Sequence, residues 1–262
     1  MLQMDNKVYY TLRFAAAMCF IGHGCFGIIT KQIWCNYFGV FGIGHELAYH
    51  LMPFVGVVDI AMGISLLVFP TRAVVLWLVI WGALTAILRP LSGEPVAEVI
   101  ERAGNFGVPL ALLILCGNGG KHIKGWFTEI KVVNNIDAKT RVKLTNCLKV
   151  IVFLLLAGHG WLNLIEKQGI LKQYVSLGFS DPVKTAHVVG LFEVVAAFML
   201  LARPLSAVLL VLLVWKMGSE LFYPHWEYFE WIERGGSYGA ILALLLLQPG
   251  LRFWHRNTLA TT

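Results

Sequence analysis

Apolar residues in this chain gather in separate blocks, and polar segments stand between the blocks. An α-helix needs about 20 mainly apolar residues to cross a bilayer, and blocks of about 15 residues still cross where the bilayer thins or the helix continues beyond its apolar part. The pattern predicts eight spanning helices, at 14–34, 52–69, 73–88, 103–117, 147–165, 187–202, 205–222 and 235–250. The first block lacks a small-residue cleavage site after a short core, so we expect a retained span and not a signal peptide.

Four short motifs of the first half of the chain recur in the same order in the second half. The pairs are Gly22-His23-Gly24 with Gly158-His159-Gly160, Pro70 with Pro204, Trp81 with Trp215, and Glu101-Arg102 with Glu233-Arg234. The distance between the members of a pair changes only from 136 to 132 residues. Such a period indicates the tandem duplication of a four-helix unit. Because the unit has an even number of spans, both copies are expected to have the same orientation in the membrane.

The predicted fold class is therefore all-α, a polytopic helical membrane protein of about eight spans arranged as two parallel four-helix-bundle repeats. The first repeat covers 1–117, a basic linker covers 118–146, and the second repeat covers 147–262. The positive-inside rule places the basic linker in the cytoplasm. With eight spans both termini are then cytoplasmic, and in a bacterium the protein belongs to the inner membrane.

Composition agrees with a membrane location. Hydrophobic residues make up 58% of the chain and charged residues only 14%, whereas about a quarter of the residues of a soluble domain are charged. The net charge of +6 lies in the loops, where it sets topology, so it does not predict nucleic-acid binding. The five cysteines are odd in number and form no CxxC pair, so neither a disulfide framework nor a zinc ribbon is indicated.

Ionisable residues inside the spans are the candidates for function, because each costs about 2.5 to 3.5 kcal/mol at the bilayer centre on insertion scales. His23 and His159 stand at equivalent positions between glycines, which permit close approach of a helix or of a flat ligand. They either satisfy helix contacts or flank a quinone, and haem ligation is the less favoured alternative. Asp59 and Glu193 are expected to pair with the histidine of their own half, either fixing helix register or relaying protons. Lys216 is a further ionisable group within a span.

The Glu-Arg-x-Gly-x-aromatic-Gly motif precedes the fourth and eighth predicted spans. Its glycines favour tight helix packing, and its glutamate suits a helix start. A substrate-binding role is the alternative, in which Arg102 and Arg234 are the anchors for an anion or a carbonyl group.

A group of histidines and acidic residues lies on the predicted outer face. It forms either a metal-collecting rim or a solvated interfacial surface, and the neighbouring Trp226 and Trp231 favour the second interpretation. Its members are His45, Glu46, His50, Glu94, Glu98, His225, Glu227 and Glu230. No metal site is predicted.

The chain resembles the DoxX-like family of four-span membrane proteins, in two fused copies. The resemblance rests on a His-Gly in the first span, a proline that ends the second, and a Gly-x-aromatic-Gly that opens the fourth, and it covers about residues 10–117 and 145–250. Some members are small subunits of thiosulfate:quinone oxidoreductases, and relatives occur with periplasmic thiol or cofactor-maturation systems. The resemblance implies His23 and His159 as pocket residues. The duplication and the scarcity of usable cysteines depart from the pattern and argue against thiol chemistry.

Three functions are compatible with these features. The favoured one is a redox-associated membrane subunit, such as a subunit of a quinone-linked oxidoreductase, with a quinone-type pocket between the two repeats. The second is a noncatalytic anchor or assembly subunit for a membrane or periplasmic protein partner. The third is a small-solute transporter, for which the intramembrane polar groups are few. No feature specifies a substrate or an electron donor.

Overall fold

A computed structural model describes residues 4–117, 122–221 and 228–248, and every regular element in these ranges is helical. The α-helices are α1 (Met4–Ile28), α2 (Trp34–Gly39), α3 (His45–Val68), α4 (Arg72–Leu91), α5 (Ala97–Glu101), α6 (Ala103–Cys116), α7 (Ala138–Leu164), α8 (Gln168–Ser176), α9 (Pro182–Ala202), α10 (Ser206–Leu221), α11 (Tyr228–Glu233) and α12 (Gly235–Leu246). A short 3₁₀-helix, Ile123–Trp126, lies between α6 and α7.

Six helical segments in the described ranges are long and apolar enough to cross a membrane: α1, α3, α4, α5 together with α6, α7, and α9. Their outward faces carry large apolar side chains, such as Phe54 and Val188, which are 68% and 62% exposed. Extended apolar surface of this kind suits a lipid environment. The all-helical class and the membrane location are thus supported as predicted.

The two remaining predicted spans, 205–222 and 235–250, coincide with shorter helices. The first corresponds to α10, of 16 residues, and the second to α12, of 12 residues. The predicted span 235–250 extends beyond α12, and its residues 249 and 250 lie outside the described ranges.

The prediction for the first span was wrong at both ends. The helix begins at Met4, not at 14, because its polar first turn is held by the segment before α7: the Asp5 carboxylate accepts hydrogen bonds from the Ile136 backbone N–H at 2.9 Å and from Arg141 at 2.8 Å. It ends at Ile28, not at 34, and the chain then turns at Thr30, which has a positive φ of 53°. Hydropathy detects only the apolar part of such a helix.

The predicted linker is also more ordered than its polarity indicates. Helix α7 begins at Ala138, not at 147, and the Asp137 carboxylate caps its first turn by accepting a hydrogen bond from the Thr140 backbone N–H at 3.0 Å. Capping by Asp stabilises a helix start that an apolar count misses. Within the same segment, Ile130 and Ile136 are buried in the core at 3% and 5% exposure.

The helices α7–α12 follow the same order as α1–α6: a long helix, a short helix, two longer helices, a helix of one or two turns, and a final helix. The centre of the molecule is formed where α1, α6, α7 and α12 pack together. Fully buried leucines fill it, among them Leu12, Leu112, Leu148 and Leu244. Here Gly104 and Gly236 face each other so closely that a Cβ on Gly104 would lie 2.9 Å from the Gly236 carbonyl carbon. The predicted packing role of the motif glycines is confirmed.

Candidate functional site

His23 is positioned by the crossing of α1 and α3. At this crossing a Cβ on Gly24 would lie 2.5 Å from the carbonyl oxygen of Gly56, so only glycines let the two backbones come this close. The close approach brings the two side chains together: the Nδ1–H of His23 donates to Oδ2 of Asp59 at 2.7 Å, and Asp59 is completely buried. The predicted imidazole–carboxylate pair is confirmed in the first half.

His159 has a matching pair with an added cation. Its Nδ1–H donates to Oε2 of Glu193, where α7 crosses α9 at Gly160 and Gly190. The ammonium group of Lys216 lies 3.1 Å from Oε1 of the same carboxylate, and this lysine is only 3% exposed. The predicted pairing is confirmed in this half as well. The lysine partner was not predicted from the sequence.

Further polar contacts occupy the space beside His159. The Tyr174 hydroxyl donates to Asn163 Oδ1 at 2.7 Å, and the Asn163 amide donates to the backbone carbonyl of His159 at 2.9 Å. Burial raises the pKa of Tyr174, so its hydroxyl keeps the proton that it donates. The second histidine is thus embedded in protein contacts.

A cavity adjoins His23 instead. This aromatic pocket encloses about 600 Å³ of empty space, including its open mouth. Its lining residues are His23, Trp34, Tyr37, Phe38, Phe41, Val55, Trp81, Thr85, Leu88, Arg89, Arg102, Asn105 and Glu233. The ring of Trp34 lies against the imidazole of His23, with 4.7 Å between the ring centroids.

The few polar groups of the aromatic pocket include unused hydrogen-bond donors. The indole N–H of Trp81 and the Nε–H of Arg102 are buried and make no hydrogen bond in the described structure, although Arg102 Nε lies 3.8 Å from Oε2 of Glu98. Arg102 is 8% exposed and uses another nitrogen, Nη1, to donate to Glu233 Oε1 at 3.2 Å. Buried donors without acceptors are costly. Both residues line the aromatic pocket.

Arg89 is held rigidly at the edge of the pocket. Its guanidinium group contacts Glu94 at 3.2 Å and Glu98 at 3.5 Å, and it lies 5.3 Å from the centre of the Tyr37 ring. The Tyr37 hydroxyl donates to Glu94 at 2.5 Å. Burial and this hydrogen bond raise the pKa of Tyr37, so its hydroxyl remains a donor.

A second cavity, the charged vestibule, shares Trp34, Tyr37, Arg89, Arg102 and Glu233 with the aromatic pocket. Its remaining lining residues are Phe26, Lys31, Ile33, Glu94, Lys167, Glu230 and Arg234. The acidic groups of this lining pair with cations: Glu230 with Lys31 at 2.5 Å, Glu94 with Arg89 at 3.2 Å, and Glu233 with Arg102 at 3.2 Å. Opposed charges thus line the polar approach to the pocket.

The arginines of the two Glu-Arg motifs join the halves of the chain. Arg102 pairs with Glu233, and Arg234 pairs with Glu101, so each motif supplies an acid and a base to the other. Arg234 Nε lies 3.9 Å from a carboxylate oxygen of Glu220. Packing accounts for both arginines, and Arg102 alone of the two also lines the aromatic pocket.

The proposed acidic and histidine rim does not assemble among the described residues. His45, Glu46 and His50 are exposed on the first turns of α3, while Glu94, Glu98 and Glu230 form ion pairs. No group of three or more potential metal ligands occurs within the described ranges. His225 and Glu227 lie outside those ranges.

No known family model, curated protein or solved structure matches this chain. The resemblance to the DoxX-like family therefore stays a prediction. The function is inferred from the geometry of the chain itself.

Of the residues predicted from the sequence, His23 and Arg102 line the aromatic pocket, and Asp59 lies directly behind His23. His159 and Glu193 form a separate cluster with Lys216. The pocket residues that sequence reasoning missed are Trp34, Tyr37, Phe38, Phe41, Val55, Thr85, Leu88 and Asn105. Trp34 and Tyr37 lie on α2, a six-residue helix whose only sequence signal is the aromatic spacing after the first span.

Proposed function

We propose that this chain spans the membrane eight times as two copies of a four-span unit in the same orientation, with the basic linker and both termini in the cytoplasm. The matching contacts between the halves support the duplication. A Cβ on Gly22 would lie 2.7 Å from the Cα of Glu233, and a Cβ on Gly158 would lie 2.7 Å from the Cα of Glu101. The two positive-φ residues at the ends of α1 and α7, Thr30 and Glu166, are also 136 positions apart.

The eight-span topology predicts which side of the membrane each loop faces. In a cysteine-free background, Tyr228→Cys is expected to react with a membrane-impermeant maleimide on intact cells, because the residue before α12 then lies outside. Tyr228 is 63% exposed, so the reagent can reach it. Lys124→Cys, in the linker, is expected to react only after permeabilisation. If α10 does not cross the membrane, Tyr228→Cys will be protected in intact cells.

We infer that the aromatic pocket binds a quinone-type ligand and that the chain is a redox-associated membrane subunit. The observation that carries this inference is a cavity with aromatic walls. Two of its lining residues, Trp81 and Arg102, each have a buried N–H group that makes no hydrogen bond and could donate to an oxygen of the ligand. Flat rings pack well against such walls, and the two carbonyl groups of a quinone accept hydrogen bonds. Because Asp59 accepts from Nδ1 of His23, the other ring nitrogen remains for a ligand or a proton.

The same geometry favours a quinone over a haem with two histidine ligands. His23 and His159 each bind a carboxylate of their own helix pair. Only His23 is among the residues that line the aromatic pocket. The predicted arrangement, in which both histidines flank one ligand between the halves, is not supported by these contacts.

Solvent extraction and mass spectrometry of the purified protein test the inference. Wild type is expected to release a quinone, and His23→Phe to release none. Trp81→Phe removes one donor and should weaken binding about 2- to 10-fold, the effect of one hydrogen bond of about 0.5–1.5 kcal/mol. Trp77→Phe is the matched control, since Trp77 stacks on Trp81 at 5.9 Å but is 43% exposed on the outer face of α4.

Two results would contradict this proposal. One is a folded wild-type protein that neither retains nor binds a quinone, with a second protein co-purifying; that result favours the anchor function. The other is equal loss of ligand in Trp77→Phe and Trp81→Phe, which would remove the indole N–H of Trp81 from the binding site. Solute flux through reconstituted vesicles would instead favour a transporter.

A further inference from the structure

The walls of the aromatic pocket differ in polarity from one side to the other. His23, Arg102 and Glu233 supply its polar side, where α1 meets the Glu-Arg motifs of both halves. Phe41, Val55 and Leu88 supply apolar lining from the loop after α2 and from α3 and α4, where Thr85 and Arg89 also line the cavity. A ligand that satisfies both sides has a polar head and an apolar tail.

The apolar side of the pocket lies between two helices that contact each other little. Although α3 and α4 are consecutive in the chain, most contacts of α3 are with α1, and most contacts of α4 are with α6. The outward faces of both helices are apolar: Phe54 and Val57 on α3 are 68% and 56% exposed, and Ile87 and Leu91 on α4 are 47% and 62% exposed, and none of the four lines the pocket. In a membrane, lipid tails cover such a surface.

Phe41 lines the pocket from the loop after α2, between Phe38 and Ile43, which pack against the buried cluster around Trp34. The side chain is 60% exposed although it lines the cavity. Glycines stand on both sides of it, at 39, 42 and 44, and a Cβ at any of them would meet no atom within 4 Å. Gly42 has a φ of +73°, a conformation that favours glycine. The exposed phenyl ring is thus the part of this loop that a ligand entering the pocket would meet first.

We propose that the aromatic pocket takes its ligand from the bilayer through the gap between α3 and α4, and that this ligand is a quinone with a long hydrocarbon tail. This inference rests on the quinone-type function proposed above. The head group lies at His23 and Arg102, and the tail passes between Val55 and Leu88 into the lipid. The charged vestibule, with Lys31, Glu230 and Arg234 in its lining, is too polar to accommodate the tail.

Two benzoquinone probes with the same ring substituents, one with a decyl tail and one without, test the route of the tail. Binding is measured on washed nanodiscs of fixed lipid content by extraction and mass spectrometry. Val55→Trp is expected to weaken binding of the decyl probe at least about 10-fold, a loss of about 1.4 kcal/mol, because the indole fills the path of the tail. The tail-free probe fits inside the pocket and should change less than about 3-fold.

Val57→Trp is the matched control, because Val57 lies on the same helix but faces lipid at 56% exposure. It should change binding of neither probe. If Val55→Trp does not fold, Thr85→Leu narrows the same gap from α4 and carries the same expectation. Equal weakening of both probes, or of the decyl probe in Val57→Trp, overturns the lateral route. Failure of wild type to bind either probe overturns the quinone function itself.

Discussion

Gly22→Ala and Gly158→Ala are each expected to prevent stable packing of the two halves. The added methyl carbon would lie 2.7 Å from a backbone Cα, that of Glu233 in the first case and of Glu101 in the second. Backbone atoms cannot move aside as a flexible side chain does, so the helices must separate. Overpacking of a core costs about 1–3 kcal/mol and occasionally more, and these contacts belong at the upper end.

Thermal unfolding of the detergent-solubilised protein, followed by tryptophan fluorescence, measures this effect. Gly218→Ala on α10 is the control, because a Cβ there meets no atom within 4 Å and alanine favours a helix by roughly 1 kcal/mol over glycine. It should leave the melting temperature unchanged or raise it. The close contacts would be contradicted if Gly22→Ala and Gly158→Ala melt within about 2 °C of wild type. For a chain of this size, such a shift corresponds to less than about 1 kcal/mol of stability.

Glu193→Gln is expected to be the most damaging single change among the buried carboxylates. It removes the carboxylate that lies 3.1 Å from Lys216 Nζ and leaves that ammonium group buried. Breaking a buried ion pair by removing one partner costs about 3–5 kcal/mol. Asp59→Asn should cost less unfolding free energy. The position in the first half that is equivalent to Lys216 is Gly82, so no buried ammonium group is left unpaired. The remaining partner, His23, can stay neutral.

A double-mutant cycle isolates the ion pair from other effects of the glutamine. Lys216→Met alone should be milder than Glu193→Gln, since His159 still pairs with the carboxylate. Combining the two changes should recover most of the stability, because no unpaired charge then remains. The cycle compares the unfolding free energies, measured in detergent, of the wild type, the two single variants and the double variant. Additive losses in the double variant would show that the two groups do not interact.

The two halves of the chain differ in the space beside their equivalent histidines, His23 and His159. Beside His23 there is a cavity with aromatic walls, whereas His159 is enclosed by Glu193, Asn163 and their partners. If the chain is a duplicated unit, the two copies differ here: one has a cavity beside its histidine and the other a buried ion pair. Lys216 is the residue that marks this difference.

Several features could be predicted from the sequence because each depends on one helix or on two helices that are close in the chain. The length of the apolar blocks predicted the membrane helices, and the six segments identified in the described ranges agree with six of them. Histidine and carboxylate pairs were predicted because each glycine-flanked histidine has one buried carboxylate on the next span. Glycine spacing likewise predicted where helices come close.

The ends of the helices and the assembly of the site were decided by the tertiary structure. The polar first turn of α1 is helical because Asp5 contacts Ile136 and Arg141 more than 130 positions away, and hydropathy averaged over a window contains no such contact. The crossed ion pairs of Arg102 and Arg234 arise in the same way, because they need both halves to be packed together.

The placement of the pocket beside His23 alone depends on side chains from α1, α2, α3, α4, α6 and α11. Equivalent sequence motifs predicted equivalent roles for His23 and His159. The empty space beside each histidine, however, depends on which side chains from distant parts of the chain pack there. Those side chains differ between the two halves. Spacing along the chain therefore determined the pairs, and packing across the chain determined which pair lies beside a cavity.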